Sequence, residues 1–293
     1  MGDYVYLSAQ QYFDFGTAVA PANTDGGTIP DVDDDDTFEA GDAGPNTYSF
    51  ETSTVFYGTI DVDGVTYPVF QGTNGFKDLL IVSQTLTPLP GSIDPSDINT
   101  SATFAMCFAA GTRIATPRGE TPVETLAIGD LVTTVSGAQV PVKWIGRQTV
   151  FPAFHPAARC GLVRLAAGSL GDGLPHSDLT VTRDHALLVG GVLCNAGALI
   201  NGTTIVAVPK SELGASYAVY HIETEDHEII LANGAPAETF IDNVSRRVFD
   251  NFAEYQALYG EEVEMTELPL PRATTARQLP AAIRARLAGR CAA

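Results

Sequence analysis

Val219-Tyr-His-Ile-Glu-Thr-Glu-Asp-His-Glu-Ile-Ile-Leu-Ala-Asn-Gly234 reads as two β-segments separated by an acidic turn and closed by a hairpin dipeptide. The branched and aromatic residues of Val219–Ile222 and Ile229–Leu231 favour a pleated, half-buried backbone. Asn233-Gly234 suits the left-handed conformations that a two-residue hairpin turn demands. The same texture runs upstream through Arg113–Thr116, Leu131–Val135, Val140–Ile145, Leu179–Thr182, Ala186–Val189, Thr204–Val208 and Tyr217–Ile222, with Glu228–Leu231 completing the set. These runs are short, and many are flanked by Gly, Pro or Asp. Few stretches of helical period interrupt them between Thr112 and Phe240. The expectation is an all-β, mostly antiparallel domain.

Working outward, the chain changes character on both sides. Residues 1–86 read as a separate, small, acidic β-rich region. Its Ser53–Phe70 run centres on the hairpin dipeptide Asp63-Gly64, and Leu79–Val82 is a further strand. Residues 21–47 have the Gly, Pro, Asn and Asp content of a long loop, and residues 87–106 that of a linker. After residue 244, Val248–Leu258 and the basic, Ala-rich Arg277–Arg290 read as helices, so 244–293 is expected to be a helical and basic C-terminal tail.

Charge divides the chain at the same place. Residues 1–106 hold sixteen acids and Lys77 as their one base, while residues 107–243 hold thirteen acids and eight bases. A net charge of −19 repels nucleic acid and argues against such a partner. Four cysteines without CxxC spacing give neither a disulfide framework nor a zinc ribbon. A metal site from Cys160, Cys194, His155 and His176 matches no usual ligand spacing. Asp31, Asp33, Asp35 and Asp42 fall at positions 1, 3, 5 and 12 of a calcium-type loop, but Asp36 stands where that loop needs glycine. A solvated acidic loop is expected there instead. The amino-terminal residues lack the basic and apolar regions of a signal peptide, and no apolar run reaches membrane-spanning length. The expectation is a soluble protein whose compartment stays open, export without a classical signal peptide included.

Three segments carry reactive side chains. Cys107 opens Cys-Phe-Ala-Ala-Gly-Thr-Arg-Ile114, where the acidic region gives way to the second β-rich one. A lone cysteine is ordinarily a small buried hydrophobe, but here its amide bond joins two units. Thr182-Arg-Asp-His185 follows an alternating strand and offers a hydroxyl beside a residue suited to acid–base work near neutral pH. The third segment is Tyr220–Gly234, with His221 and His227.

Together and in this order, these segments resemble the Hint domain of the Hedgehog/intein superfamily, in its bacterial form outside the inteins proper. Cys107–Gly119 with Val123–Thr133 is similar to the nucleophile block, Thr182–His185 to the TxxH block, and Tyr220–Gly234, with its core His227–Gly234, to the closing block. The resemblance implies a horseshoe-like antiparallel β-domain over 107–243. It also implies an autocatalytic, cofactor-free, single-turnover reaction at Met106-Cys107, with the chain's own amino-terminal segment as substrate. In that reaction Cys107 attacks the Met106 carbonyl, His185 protonates the departing nitrogen and Thr182 holds the scissile amide. Asp184, His221 and His227 are candidate auxiliaries. Inteins end in His-Asn, and here Glu238-Thr239 stands instead, so splicing is not expected. His221 stands where many inteins carry an aspartate. The thioester would pass to water or to an external thiol or amine, since 244–293 offers no long apolar stretch for a sterol. The alternative is a catalytically silent Hint scaffold in an acidic binding protein.

Overall fold

The computed structural model describes residues 4–6, 8–12, 27–29, 54–62, 65–72, 79–83, 98, 106–152, 161–241, 245–260 and 264–288. The chain divides into two compact units. One comprises Met1–Ala102, Phe151–Cys160 and Gly214–Ser216, and the other comprises Thr103–Val150, Gly161–Leu213 and Tyr217–Ala293.

In the first unit, β1 (Tyr4–Tyr6) pairs with β3 (Gly27–Ile29). A four-stranded sheet orders β2 (Ser8–Tyr12), β6 (Leu79–Ser83), β5 (Val65–Gly72) and β4 (Thr54–Val62). Val62 faces Val65 across the pair, while the hairpin dipeptide Asp63-Gly64 itself lies outside the described residues. Ile60, Tyr67, Val69 and Ile81 form a small core.

The second unit contains β7 (Phe108–Ala109), β8 (Arg113–Thr116), β9 (Gly119–Pro122), β10 (Leu131–Thr133), β11 (Gln139–Pro141), β12 (Trp144–Val150) and β13 (Leu162–Leu165). These are followed by β14 (Leu179–Thr182), β15 (Ala186–Val189), β16 (Val192–Asn195), β17 (Ile205–Ala207), β18 (Tyr217–Glu223), β19 (Ile229–Ala232), β20 (Ala235–Glu238) and β21 (Arg272–Ala273). One sheet runs β12-β18-β7-β14-β13-β17, a second runs β21-β16-β15-β20-β19-β8-β9, and β10-β11 is a separate hairpin. All pairings are antiparallel except β16 with β21.

The path of the chain between the two sheets decides where the reactive segments lie. Between β7 and β8, between β14 and β15, and between β18 and β19, the chain leaves the first sheet and enters the second. The three reactive segments lie at these crossings. Phe108, Val163, Val181, Leu187, Ile222 and Ile230 are buried in one continuous core. Each such side chain contributes roughly 1.5–3 kcal/mol, which fixes the crossings relative to one another.

Asn233 (φ 46) and Gly234 (φ 77) form the turn between β19 and β20 in the left-handed geometry expected of that dipeptide. The Val140–Ile145 run is not one strand. Pro141 ends β11, Val142 donates its N–H to the Asp130 carbonyl, and Trp144 begins a different pairing, against β18.

Residues beyond 244 are woven into this second unit. The helix Ala281–Ala288 sends Ile283 and Leu287 into the main core. The 3-10 turn Arg246–Val248 buries Arg246, whose guanidinium donates to both carboxylate oxygens of buried Glu223 at 2.8 and 3.0 Å and lies over the Phe240 ring. Helix Phe252–Tyr259 places Tyr255 against Trp144. Among the described residues, no helix is long and apolar enough to cross a membrane.

Candidate active site

Strand β7 lies between β14 and β18, so the residue before it, Cys107, is carried into the middle of the first sheet. Thr182, the last residue of β14, brackets Cys107 from one side. Its Oγ1 accepts the Cys107 N–H at 2.7 Å, and its N–H donates to the Cys107 carbonyl at 2.9 Å. Cys107 is fully buried and Met106 is 5% exposed, so the Met106-Cys107 peptide bond sits inside the domain. Burial, reinforced by the charge of Asp250, pushes the Cys107 thiol well above its ordinary value. At neutral pH the sulfur therefore carries its proton.

His185 occupies the crossing from β14 to β15. Its ring is fully buried, with its centroid 4.3 Å from that of Phe108 and 5.4 Å from that of His221 on β18. Burial lowers His185 to about 4, against the opposing pull of Glu238 and of the Met106 backbone carbonyl beside the ring. Neither ring nitrogen of His185 or His221 has a hydrogen-bond partner of normal geometry among the described residues. A buried neutral imidazole whose nitrogens are not engaged by a normal hydrogen bond can accept a proton and later return it. His221 is pushed lower still, to about 3, by burial and by His185.

The segment after residue 244 closes this region. Phe249 packs edge-on to Trp144 and lies 6.5 Å from His221, in space that exists because residue 146 is glycine. A Cβ at Gly146 would stand 2.7 Å from the Phe249 ring. Asp250, next in the chain, accepts the Thr149 N–H at 2.6 Å.

Behind His185 lies a buried charged cluster. Glu238, at the end of β20, is fully buried. Its Oε1 accepts the Ala186 N–H at 2.8 Å, and its Oε2 accepts from Arg272 Nη2 at 2.6 Å. His227 Nε2 stands 3.4 Å from the same Oε2, while its Nδ1 accepts the Leu268 N–H. Burial works against the Glu238 charge, but hydrogen bonds from His227 and Arg272 outweigh it and hold the carboxyl down at about 2. Nothing local in the sequence points to Arg272 or Asp250. Glu238 is legible there only as a residue standing in place of a histidine.

Of the sequence candidates, then, Met106, Cys107, Thr182, His185 and His221 come together. His227 joins them indirectly, through Glu238. Asp184 is exposed and faces Asn195 at 3.5 Å, as its place next to an inward-facing His185 requires. Cys194 is buried in the main core and His176 pairs with Glu120 at 2.6 Å, while His155 and Cys160 lie outside the described residues. The aspartates of the acidic loop, Asp31 to Asp42, also lie outside them.

The family model of the Hint domain matches residues 106–244. This part of the chain is a Hint domain. Solved structures similar to it include the MchDnaB-1 intein, at 15% identity over 44% of this chain and 98% of that one, with a TM-score of 0.33. A bacterial intein-like domain from Clostridium thermocellum is 18% identical over 47% of this chain and 100% of its own, with a TM-score of 0.34. No curated protein matches the chain.

At the closing end of the Hint domain, Thr239 is a structural residue. Its hydroxyl lies 3.2 Å from that of Thr224 and accepts the Glu228 N–H at 2.9 Å.

The two buried histidines also set an acid limit on the fold. Between pH 6.5, the ordinary histidine value, and about 4, the unfolded chain takes up protons that the folded one refuses, so stability falls as pH falls through that window. Each pH step of one across that window is worth ~1.4 kcal/mol, so His185 alone accounts for about 3 kcal/mol. Urea unfolding of Cys107→Ala protein should show its midpoint dropping from pH 7 to pH 4.5. A flat midpoint would mean that these rings are not buried in their neutral form.

Proposed function

We propose that the Hint domain cleaves the chain at Met106-Cys107 by an acyl shift from nitrogen to sulfur. Cys107 Sγ attacks the Met106 carbonyl carbon through a five-membered ring, and the C–N bond breaks as the S–C bond forms. The thiol proton passes to His185 and from there to the Cys107 nitrogen, which leaves as an amine. A thioester joins Met106 to Cys107, and water, a thiol or an amine resolves it. No cofactor is needed, and Glu238-Thr239 in place of His-Asn stops the sequence short of ligation.

One observation carries this reading: the Cys107 amide N–H is bonded to Thr182 Oγ1 at 2.7 Å, while the buried His185 ring, its nitrogens not engaged by a normal hydrogen bond, packs 4.3 Å from the ring of Phe108, the residue after Cys107. The nitrogen of the bond to be broken is thus held by a hydroxyl, with an unengaged imidazole packed close by to carry the proton. A neutral His185 and a protonated Cys107 thiol, both buried, also refine the expectation from sequence. The histidine begins as a base and becomes the acid only after taking the thiol's proton.

The test is the mass of the purified 30.9 kDa chain with and without a small thiol. Added thiol should accelerate release of residues 1–106 as a thioester, giving pieces of roughly 11 and 20 kDa by length. An intact chain under all conditions would favour the silent scaffold, a reading that the complete burial of Cys107 supports.

A further inference from the structure

The reaction requires His185 to become a cation, if briefly, at a fully buried position against the Phe108 ring. An unpaired charge there costs several kcal/mol unless an opposite charge faces it. Among the described residues of this unit, two carboxylates are completely buried. Glu223 is taken up by the Arg246 fork, with Lys143 at 3.7 Å. Glu238 is placed differently, because the peptide N–H it accepts belongs to Ala186, the residue directly after His185. The carboxylate thereby grips the backbone that carries the imidazole.

Arg272 holds that carboxylate from outside the matched Hint segment, on β21 alongside β16, and is itself bonded to Glu267 at 2.9 Å. We infer that Glu238 is a positioning residue for His185: it anchors the His185–Ala186 backbone and supplies the counter-charge under which His185 holds the thiol's proton in transit, with Arg272 keeping the carboxylate ionised. Glu238 takes no proton itself, and the proton leaves Cys107 Sγ and ends on the Cys107 nitrogen. This role rests on the proposed cleavage. On this inference the working domain extends beyond residue 244, to Arg272 at least.

Charged and titratable groups face this pair from several elements. His185 is met by Glu238, Arg272 and His221, while Glu238 is met by His227, Arg272 and His185. Removing the Glu238 charge leaves His185 facing Arg272, whose charge disfavours its protonation. Two measurements on the full chain test the inference. In Cys107→Ala protein, the assigned His185 imidazole resonances are titrated by NMR with and without Glu238→Gln. The amide still accepts from Ala186 N–H, so a fall in the His185 midpoint by about one pH unit or more reports the lost charge. This arm does not depend on cleavage, so it decides the coupling even if the thiol experiment shows an uncut chain.

The second arm follows thiol-induced release in Glu238→Gln and in the double variant Glu238→Gln/Arg272→Met, where no buried cation is left unpaired. Release should be slowed ~10- to 100-fold in both. Recovery of the wild-type rate in the double variant would make Glu238 a mere partner of Arg272 and overturn the inference. So would an unmoved His185 titration.

Discussion

Cys107→Ala should leave the chain at 30.9 kDa under every condition, with no release of residues 1–106 even in added thiol. The reasoning rests on reach. Sγ of Cys107 closes on the Met106 carbonyl from within the same dipeptide, so no second molecule has to be captured, a benefit worth several kcal/mol of barrier. Among the described residues no other thiol stands there: Cys194 is buried in β16 and its thiol lies 3.5 Å from the Val192 carbonyl. The substitution removes one sulfur from a closed site, a loss on the order of 1 kcal/mol, so the fold should survive for comparison. Cys107→Ser keeps the reach but replaces a thiol with a hydroxyl that ionises far less readily, and slow residual release is expected. Intact-protein mass spectrometry over a day separates the three proteins. Release from Cys107→Ala at the wild-type rate would assign the cut to a contaminating protease.

The second unit is largely legible in the sequence because most of its strands advertise themselves locally. Arg113–Thr116, Leu179–Thr182 and Ala186–Val189 match their expected spans residue for residue, each a short run of β-favouring residues closed by Pro117, by Arg183-Asp184 or by Gly190. Leu162–Leu165 is not among the expected strands, and its place is set by pairing with β14 and β17. Arg272–Ala273 is not legible at all. It follows Pro-Leu-Pro, carries no alternation, and becomes a strand only because β16 offers a free edge. The same distinction separates the parts of the site. Cys107, Thr182 and His185 each sit in a compact motif, whereas Glu238 and Arg272 meet across 34 residues. The Arg246 anchor of the region after residue 244 is likewise a tertiary choice, made by buried Glu223 and two aromatic faces.

His185→Ala should slow thiol-induced release by about 100-fold or more, within the range that a positioned proton carrier contributes. Two opposed shifts require it. Burial and the charge of Asp250 hold the thiol protonated, and burial holds His185 near 4, so at pH 7 the pair rests as neutral thiol and neutral imidazole. The proton must move before the sulfur can attack, and among the described residues His185 is the neutral base flanking the scissile peptide. His221 has open ring nitrogens too, but its nearest ring contacts are His185 and Phe240 at 5.4 Å, and the Thr239 backbone rather than Met106 lies against it. His221→Ala should therefore cost less than His185→Ala. The pH profile carries a second signature. Release by wild-type protein should fall on acidification only as His185 becomes protonated, near pH 4, while the His185→Ala remnant should lack that limb and climb with hydroxide as the thiol itself ionises. Equal rates for His185→Ala and wild type at pH 7 would remove His185 from the proton path and leave its burial as packing alone.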